Sequence, residues 1–303
     1  MASLRAILLN WLVRTTFRSK PLHLMDPKEL RRIADASAPK RPPNGIDVER
    51  LSEGPVRGEW HRAQTAVPGR TVLFLHGGGY VFGSPRSHSA CTYALAAEAR
   101  ADVFSLDYRL APEHPFPGAV DDAVTAYEWL LEEGCDPAQI TIGGDSAGGG
   151  LTLALLLSIK ARGLPSPAGA FLFSPWTDLA VTGVTLDANE KSDAMFKKEH
   201  ILGGAKRYLG DADPKAPLAS PLYADLSGLP PILTFVSDSE VLLDDSLRLH
   251  EHLRVAGVEA TLIRETGLIH VWPIFVGRFP EARAAIRRVA AFIEEPTAGE
   301  AIG

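Results

Sequence analysis

From Ile46 onward the chain alternates short, solidly apolar runs with amphipathic stretches. Residues 46–52 and 56–62 alternate apolar and polar side chains, which predicts an antiparallel, half-exposed strand pair. Five runs follow at 71–75, 103–106, 140–142, 168–173 and 232–236, each apolar nearly throughout, and a last strand is expected at 260–263. Runs of that length and character fit buried strands of a mostly parallel sheet. Between them, Val120, Ala123, Val124, Tyr127 and Leu131 form one helical face opposed by Asp121, Asp122, Thr125 and Glu128, with Gly134 as the stop. Residues 151–159 are apolar almost all round, so that helix should be packed on most sides. Near the end Ile286, Val289 and Ile293 oppose Arg283, Arg287 and Glu294. Strand–helix alternation of this kind predicts an α/β fold, a three-layer sandwich around the sheet.

Two stretches break the rhythm. Residues 177–226 are richer in charge and proline and carry helical pieces only around 198–209. A long excursion between two strands, on the side where ligand-facing loops gather, reads as a lid. The first twenty residues mix an apolar run at 6–13, interrupted by Asn10, with Arg5, Arg14, Arg18 and Lys20. That run is too short to span a bilayer and lacks the unbroken core and cleavage site of a signal peptide. Leu4, Leu8, Trp11 and Leu12 share one helical face, which predicts an amphipathic helix docked on the body by that face. Adsorption to a membrane surface is the alternative, without stable insertion. The organisation expected is therefore N-terminal cap helices at 1–45, the first part of an α/β core at 46–176, a cap insertion at 177–226 and the second part of the core at 227–303.

Composition narrows the function. A chain of 303 residues suits one large α/β domain, and a net charge of −6 gives no reason to expect nucleic acid as a partner. The two cysteines, Cys91 and Cys135, are too few for a disulfide-stapled scaffold, which favours free thiols in a reducing, cytoplasmic setting; a single bridge between them stays open.

The strongest chemical signal is Gly144-Asp145-Ser146-Ala147-Gly148, a G-x-S-x-G pattern between a strand and an apolar helix. A turn that sharp leaves no room for larger side chains at the motif's glycines, and it holds the hydroxyl clear of the sheet at a helix N-terminus. A phosphate loop would need Lys and then Ser or Thr after its last glycine, whereas Gly149 and Gly150 follow here. The second signal is His76-Gly77-Gly78-Gly79-Tyr80, directly after a strand. Consecutive glycines let the backbone turn its amides inward, as stabilising a tetrahedral oxyanion requires.

Together with Asp107-Tyr108-Arg109-Leu110-Ala111-Pro112-Glu113 and Pro115-Phe116-Pro117, these motifs make the sequence resemble the hormone-sensitive-lipase-like group of α/β-hydrolases, the bacterial family IV esterases. The resemblance runs on through residues 237–245 and Gly267-Leu268-Ile269-His270. It implies an α/β-hydrolase sandwich with a helical cap. It also implies a carboxylesterase acting on short- to medium-chain acyl esters, with no metal or organic cofactor, and a homodimer. It places the oxyanion hole at the amides of Gly78, Gly79 and Ala147, and gives the stretch from Asp107 to Pro117 a supporting role. Arg109 and Glu113 read in any case as members of ion pairs.

The base should follow the serine, after an acid. Of nine histidines His270 is the best placed, in a loop after the last strand and at the end of the family's Gly-x-x-His pattern. The acid comes from Ser237-Asp238-Ser239-Glu240-Val241-Leu242-Leu243-Asp244-Asp245, which offers four carboxylates after a strand. The family's Asp-x-Leu-x-Asp pattern puts Glu240 in first place, where aspartate is commoner; Asp238 is the alternative, and Asp244 is expected to order the loop or cap the next helix. Tyr80, Trp176 and Trp272 are candidate pocket aromatics, while Phe196 and Tyr208 read better as packing. An amidase or acetyl hydrolase acting on a specific metabolite, or a receptor-like binding protein that keeps the pocket, are the competing functions.

Overall fold

The structure, a computed structural model, describes residues 2–296. Strands β1 (Ile46–Leu51) and β2 (Gly58–Ala63) pair antiparallel, with Ile46 opposite Ala63. β2 is also antiparallel to β4 (Asp102–Leu106). From there β3 (Thr71–Leu75), β5 (Ile140–Asp145), β6 (Gly169–Phe173), β7 (Ile232–Ser237) and β8 (Ala260–Glu265) run parallel, in the order β1-β2-β4-β3-β5-β6-β7-β8. β3, β5, β6 and β7 are buried at every position, as strands covered on both faces must be. Because β3 and β5 are neighbours, the glycine run after one and the sharp turn after the other meet at the same end of the sheet.

Nine α-helices occur among the described residues. The first two, α1 (Leu4–Thr16) and α2 (Pro27–Ala36), precede the sheet. α3 (Ser89–Ala99) and α9 (Pro280–Glu294) cover one face; α4 (Gly118–Glu132), α5 (Ala147–Arg162) and α8 (Leu243–Val255) cover the other. β3 shows how the strand period feeds both layers: Val72 and Phe74 pack with Leu95 and Ile286, Leu73 and Leu75 with Val120, Leu151 and Leu249. This is the three-layer sandwich that the alternation predicts.

Residues 177–226 leave the sheet after β6 and return at β7, carrying α6 (Thr185–Ala188) and α7 (Lys198–Leu209). The N-terminal segment lies on this excursion. Arg14 Nη1 donates to the Lys191 carbonyl at 2.8 Å, Arg18 Nη2 to that of Glu190 at 2.6 Å, and Arg207 Nη2 to those of His23 and Met25 at 2.8 Å each. The ring of Phe17 meets Phe196 edge-on at 6.1 Å.

α1 docks by a different face from the one its leucines suggested. Ala6 is buried, Asn10 Nδ2 donates to the Gly267 carbonyl at 2.9 Å, and the Ser3 amide and hydroxyl both donate to Glu281. These polar anchors and the small Ala6 fix the helix, and they turn Leu4, Leu8, Trp11 and Leu12 outward. Periodicity found the amphipathic stretch but could not say which of two apolar strips would be covered. Both thiols are free, Cys91 buried and Cys135 half-buried.

Candidate active site

β5 ends at Asp145 and α5 begins at Ala147, which leaves Ser146 alone at the turn with φ +52° and ψ −117°. A non-glycine residue there is strained by about 1–3 kcal/mol, and the surroundings must hold it. They do so through the Ser146 amide, which donates to the Phe173 carbonyl at 2.8 Å, and the Ser146 carbonyl, which accepts from the Trp176 amide at 2.9 Å. Gly148 is required by space: a Cβ there would lie 1.9 Å from the Leu75 carbonyl oxygen.

Ser146 Oγ stands 3.0 Å from His270 Nε2. His270 Nδ1 is hydrogen-bonded to Glu240 Oε2. The other carboxylate oxygen of Glu240 accepts from Ser174 Oγ at 2.9 Å and from the Ser237 amide at 2.6 Å. Ser174 Oγ in turn accepts from the Val271 amide at 3.1 Å, tying the residue after the histidine to the acid. The side chains of Ser146, His270 and Glu240 are all buried. They rise from the ends of β5, β8 and β7, with Ser174 at the end of β6 between them. Asp238 turns elsewhere: its Oδ1 accepts from the Gly267 amide at 3.0 Å and fixes the loop that carries His270. Asp244 Oδ2 accepts from the Val184 amide at 3.0 Å and so orders the excursion.

The glycine run faces this chain of side chains. The Gly77 amide donates to Asp145 Oδ1 at 2.9 Å, and His88 Nε2 lies 3.3 Å from the same oxygen. Tyr108 Oη donates to the His76 carbonyl at 2.6 Å. Gly78 has φ +117°, and a Cβ on it would sit 2.1 Å from the Phe82 carbonyl oxygen, so only glycine fits. Among the described residues, the amides of Gly78, Gly79 and Ala147 donate to no protein acceptor. Burial and the neighbouring His88 push the His76 pKa down to about 3, so it is a neutral spacer stacked on Tyr108. Arg109 pairs with Asp122 at 2.7 Å, and Glu113 with Arg31 of α2 at 2.7 Å. Both are structural ion pairs, away from the serine.

Two cavities meet at Ser146. The larger, about 260 Å³, is lined by Val13, Phe17, Met195, Phe196, His270 and Ile274 among others. The smaller, about 40 Å³, lies under Trp176, Phe196, His200 and Ile201 and is bordered by Gly78 and Gly79. Trp176 therefore lines the site. Tyr80 and Trp272 line neither cavity: Tyr80 is stacked on Tyr208 at 3.7 Å and Trp272 packs on Phe235 at 5.9 Å, both in the core. Both follow motif residues closely in sequence, but their side chains turn back into the layers. Phe196, expected to be mere packing, borders both cavities.

A family model described as alpha/beta hydrolase fold matches residues 72–274. A solved esterase from the bacterial hormone-sensitive lipase (HSL) family superposes with a TM-score of 0.91 at 40% identity, covering 99% of this chain and 100% of that one. The chain belongs to the hormone-sensitive-lipase-like α/β-hydrolases. It is also similar to an acetyl-hydrolase of Streptomyces hygroscopicus, 42% identical with 82% of each chain covered. An esterase of Acinetobacter venetianus is 37% identical with 93% of each covered.

Sequence reasoning missed three groups that support this hydrolase's site. Ser174 links Glu240 to the backbone beside His270. Asp193, buried, accepts from the amides of Met195, Phe196 and Val241 and thereby ties the cavity wall to the Glu240 loop. Asn189 Nδ2 donates to the carbonyls of Asp238 and Glu240 at 2.9 Å each. Ser174 stands at a strand's C-terminal end, where α/β sites gather, and could have been flagged on that ground. Asp193 and Asn189 lie in the irregular excursion, with no periodicity to mark them.

The electrostatics of His270 set a pH dependence. Burial disfavours the imidazolium, but the Glu240 carboxylate, with Asp193 and Asp145 beyond it, outweighs burial and raises the His270 pKa above its ordinary 6.5. Below the raised value the ring is protonated and cannot accept a proton from Ser146. Ester hydrolysis at low substrate concentration is therefore expected to rise with pH, with its acid-side midpoint above that of a free imidazole. A midpoint below about 6 in the kcat/KM profile would contradict the coupling to Glu240.

Proposed function

We propose that this ester-hydrolysing enzyme cleaves short- to medium-chain acyl esters through an acyl-enzyme, with Ser146 as nucleophile, His270 as proton shuttle and Glu240 as its orienting acid. The observation that carries the reading is the chain Ser146–His270–Glu240, set beside glycine-run amides that lack partners and opening on an apolar cavity.

Neutral His270 takes the Ser146 proton on Nε2 as Oγ bonds to the ester carbon, and the carbonyl electrons move to its oxygen. The amides of Gly78, Gly79 and Ala147 hold that oxyanion. As the intermediate collapses, the C–O bond to the alcohol breaks and His270 Nε2–H protonates the leaving oxygen. Water then attacks the acyl-enzyme, giving its proton to His270. The acid departs and Oγ recovers the proton. The imidazolium present in both intermediates is held by Glu240, itself fixed by Ser174 and the Ser237 amide.

Substrate size follows from the cavities. The larger, at about 260 Å³, is below the roughly 300–1,000 Å³ usual for drug-sized ligands, and the smaller admits little beyond a methyl-sized group. Forcing surplus methylenes into packed space costs about 1–3 kcal/mol. Among p-nitrophenyl esters from acetate to palmitate, kcat/KM is expected to peak at the short end, with palmitate roughly 100-fold lower. A profile rising to palmitate would overturn this reading.

In the same proposal residues 1–45 and 177–226 act together as a cap, since Phe17 and Phe196 from the two pieces wall the cavity. β8, the terminal strand of the sheet, with α8 packed against it, is the proposed surface for a homodimer. Two free thiols favour a reducing, cytoplasmic setting. No helix among the described residues is long and apolar enough to cross a membrane.

A further inference from the structure

α1 carries more exposed apolar surface than any other helix described. Leu4 is 85% exposed, Leu8 64%, Trp11 62%, Ile7 54% and Leu12 47%, and Leu24 in the turn beyond adds another at 74%. Single exposed leucines are ordinary, but five large apolar side chains along 13 residues of one helix form a contiguous patch. The helix is not loosely attached. Its other face is held by Asn10 on the Gly267 carbonyl, by Ser3 on Glu281 and by Arg14 on the Lys191 and Ser192 carbonyls. The outward face is thus a fixed surface.

Charge says what covers it. Residues 2–20 contain no carboxylate; Arg14 and Arg18 are engaged by carbonyls of the body, and Arg5, exposed, and Lys20, half-exposed, supply the remaining positive charge. A second copy meeting this face across a two-fold axis would set base against base, with no acid on the helix to offset them. A tryptophan-bearing apolar strip flanked by Arg5 and Lys20 matches instead the interface of an anionic bilayer, where the side chains enter the headgroup boundary and these two cations meet lipid phosphates. The net charge of −6 opposes this only weakly, because at physiological salt charges beyond about 8 Å are screened. We propose that α1 docks this protein on an anionic lipid surface through Leu4, Ile7, Leu8, Trp11 and Leu12. The helix that meets the lipid is also a wall of the larger cavity, through Val13 and Phe17. Docking therefore holds Ser146 close to apolar esters dissolved in the membrane, a consequence that rests on the esterase reading, whereas the docking itself does not.

The test is co-sedimentation of the full chain with phosphatidylcholine vesicles that contain phosphatidylglycerol. Leu8→Glu/Trp11→Glu is run beside it, and both proteins are assayed on a soluble p-nitrophenyl ester. The intact protein should pellet with the vesicles, and the double variant should bind at least ~10-fold more weakly, since two buried apolar side chains are lost. Neither position lines a cavity, so the soluble-ester rate should be unchanged and also reports that the variant is folded. As a second measure, the intact protein's tryptophan emission should shift to the blue on vesicles, and Trp11→Phe should remove most of that shift. Intact protein staying in the supernatant, or a double variant that still pellets equally, overturns the proposal. So does a halving of molecular mass in the variant without vesicle uptake, which makes the face a self-interface. A protein that pellets but hydrolyses no ester would sink the esterase reading alone.

Discussion

Ser146→Ala is expected to lower kcat on p-nitrophenyl butyrate by about 10⁶-fold with KM little changed, as losing the nucleophile of such a relay does elsewhere. Alanine keeps the Cβ and so the same backbone demand at φ +52°; the strained turn persists, and the thermal midpoint should stay close to that of the intact chain. What disappears is the oxygen that bonds to the ester carbon. The partnerless amides and the cavity are untouched, so a rate of roughly 10³–10⁴ over uncatalysed hydrolysis should survive. The Cys91 thiol is buried in α3, and burial lifts its pKa well above the ordinary value, which leaves it inert. A loss smaller than about 100-fold would mean that another residue attacks the ester, and the assignment would fail.

What was legible in the sequence follows a physical division. Buried parallel strands have to be solidly apolar, so residues 71–75, 140–142, 168–173 and 232–236 announce themselves, and the observed strands β3, β5, β6 and β7 differ from them by a few end residues. Gly144 to Gly148 and Gly77 to Gly79 were legible for a related reason. Close approach of neighbouring backbone excludes every other residue at Gly77, Gly78, Gly144 and Gly148, and a φ of +62° favours glycine at Gly79, so the pattern survives in the letters themselves. Glu240 is a harder case, because four carboxylates follow one strand and spacing alone leaves Asp238 in play. Three-dimensional direction separates them, as Asp238 turns to the Gly267 amide and Glu240 to the imidazole. Where tertiary contact alone decides, the reading failed. α1 has apolar residues on two strips, and Asn10 and Ser3 choose which is covered. Tyr80 and Trp272 flank motif residues, yet their rings pack inward. Phe196 lies in an irregular stretch where no period assigns a direction, and it borders both cavities.

Glu240→Gln should be the next most damaging change, about 10⁴-fold in kcat, although it alters one atom. In the intact site Oε1 accepts from Ser174 Oγ and the Ser237 amide, and both are donors. A glutamine must keep its carbonyl oxygen on that side, because its NH₂ would meet two further donors there. The NH₂ therefore faces His270 Nδ1, which can answer only as an acceptor. That tautomer puts the proton on Nε2, the atom 3.0 Å from Ser146 Oγ, and a protonated Nε2 cannot receive the hydroxyl proton. The imidazolium of both intermediates also loses its counter-charge. Asp238→Asn leaves the relay intact and should cost less than about tenfold, through the Gly267 loop it steadies. The pair of variants tells two causes apart. Distortion of the loop would raise KM or lower the thermal midpoint, whereas the wrong tautomer depresses kcat and leaves KM and stability nearly alone. Equal losses from the two variants would return Asp238 to contention as the acid. A Glu240→Gln enzyme retaining more than about a tenth of kcat would remove Glu240 from the relay.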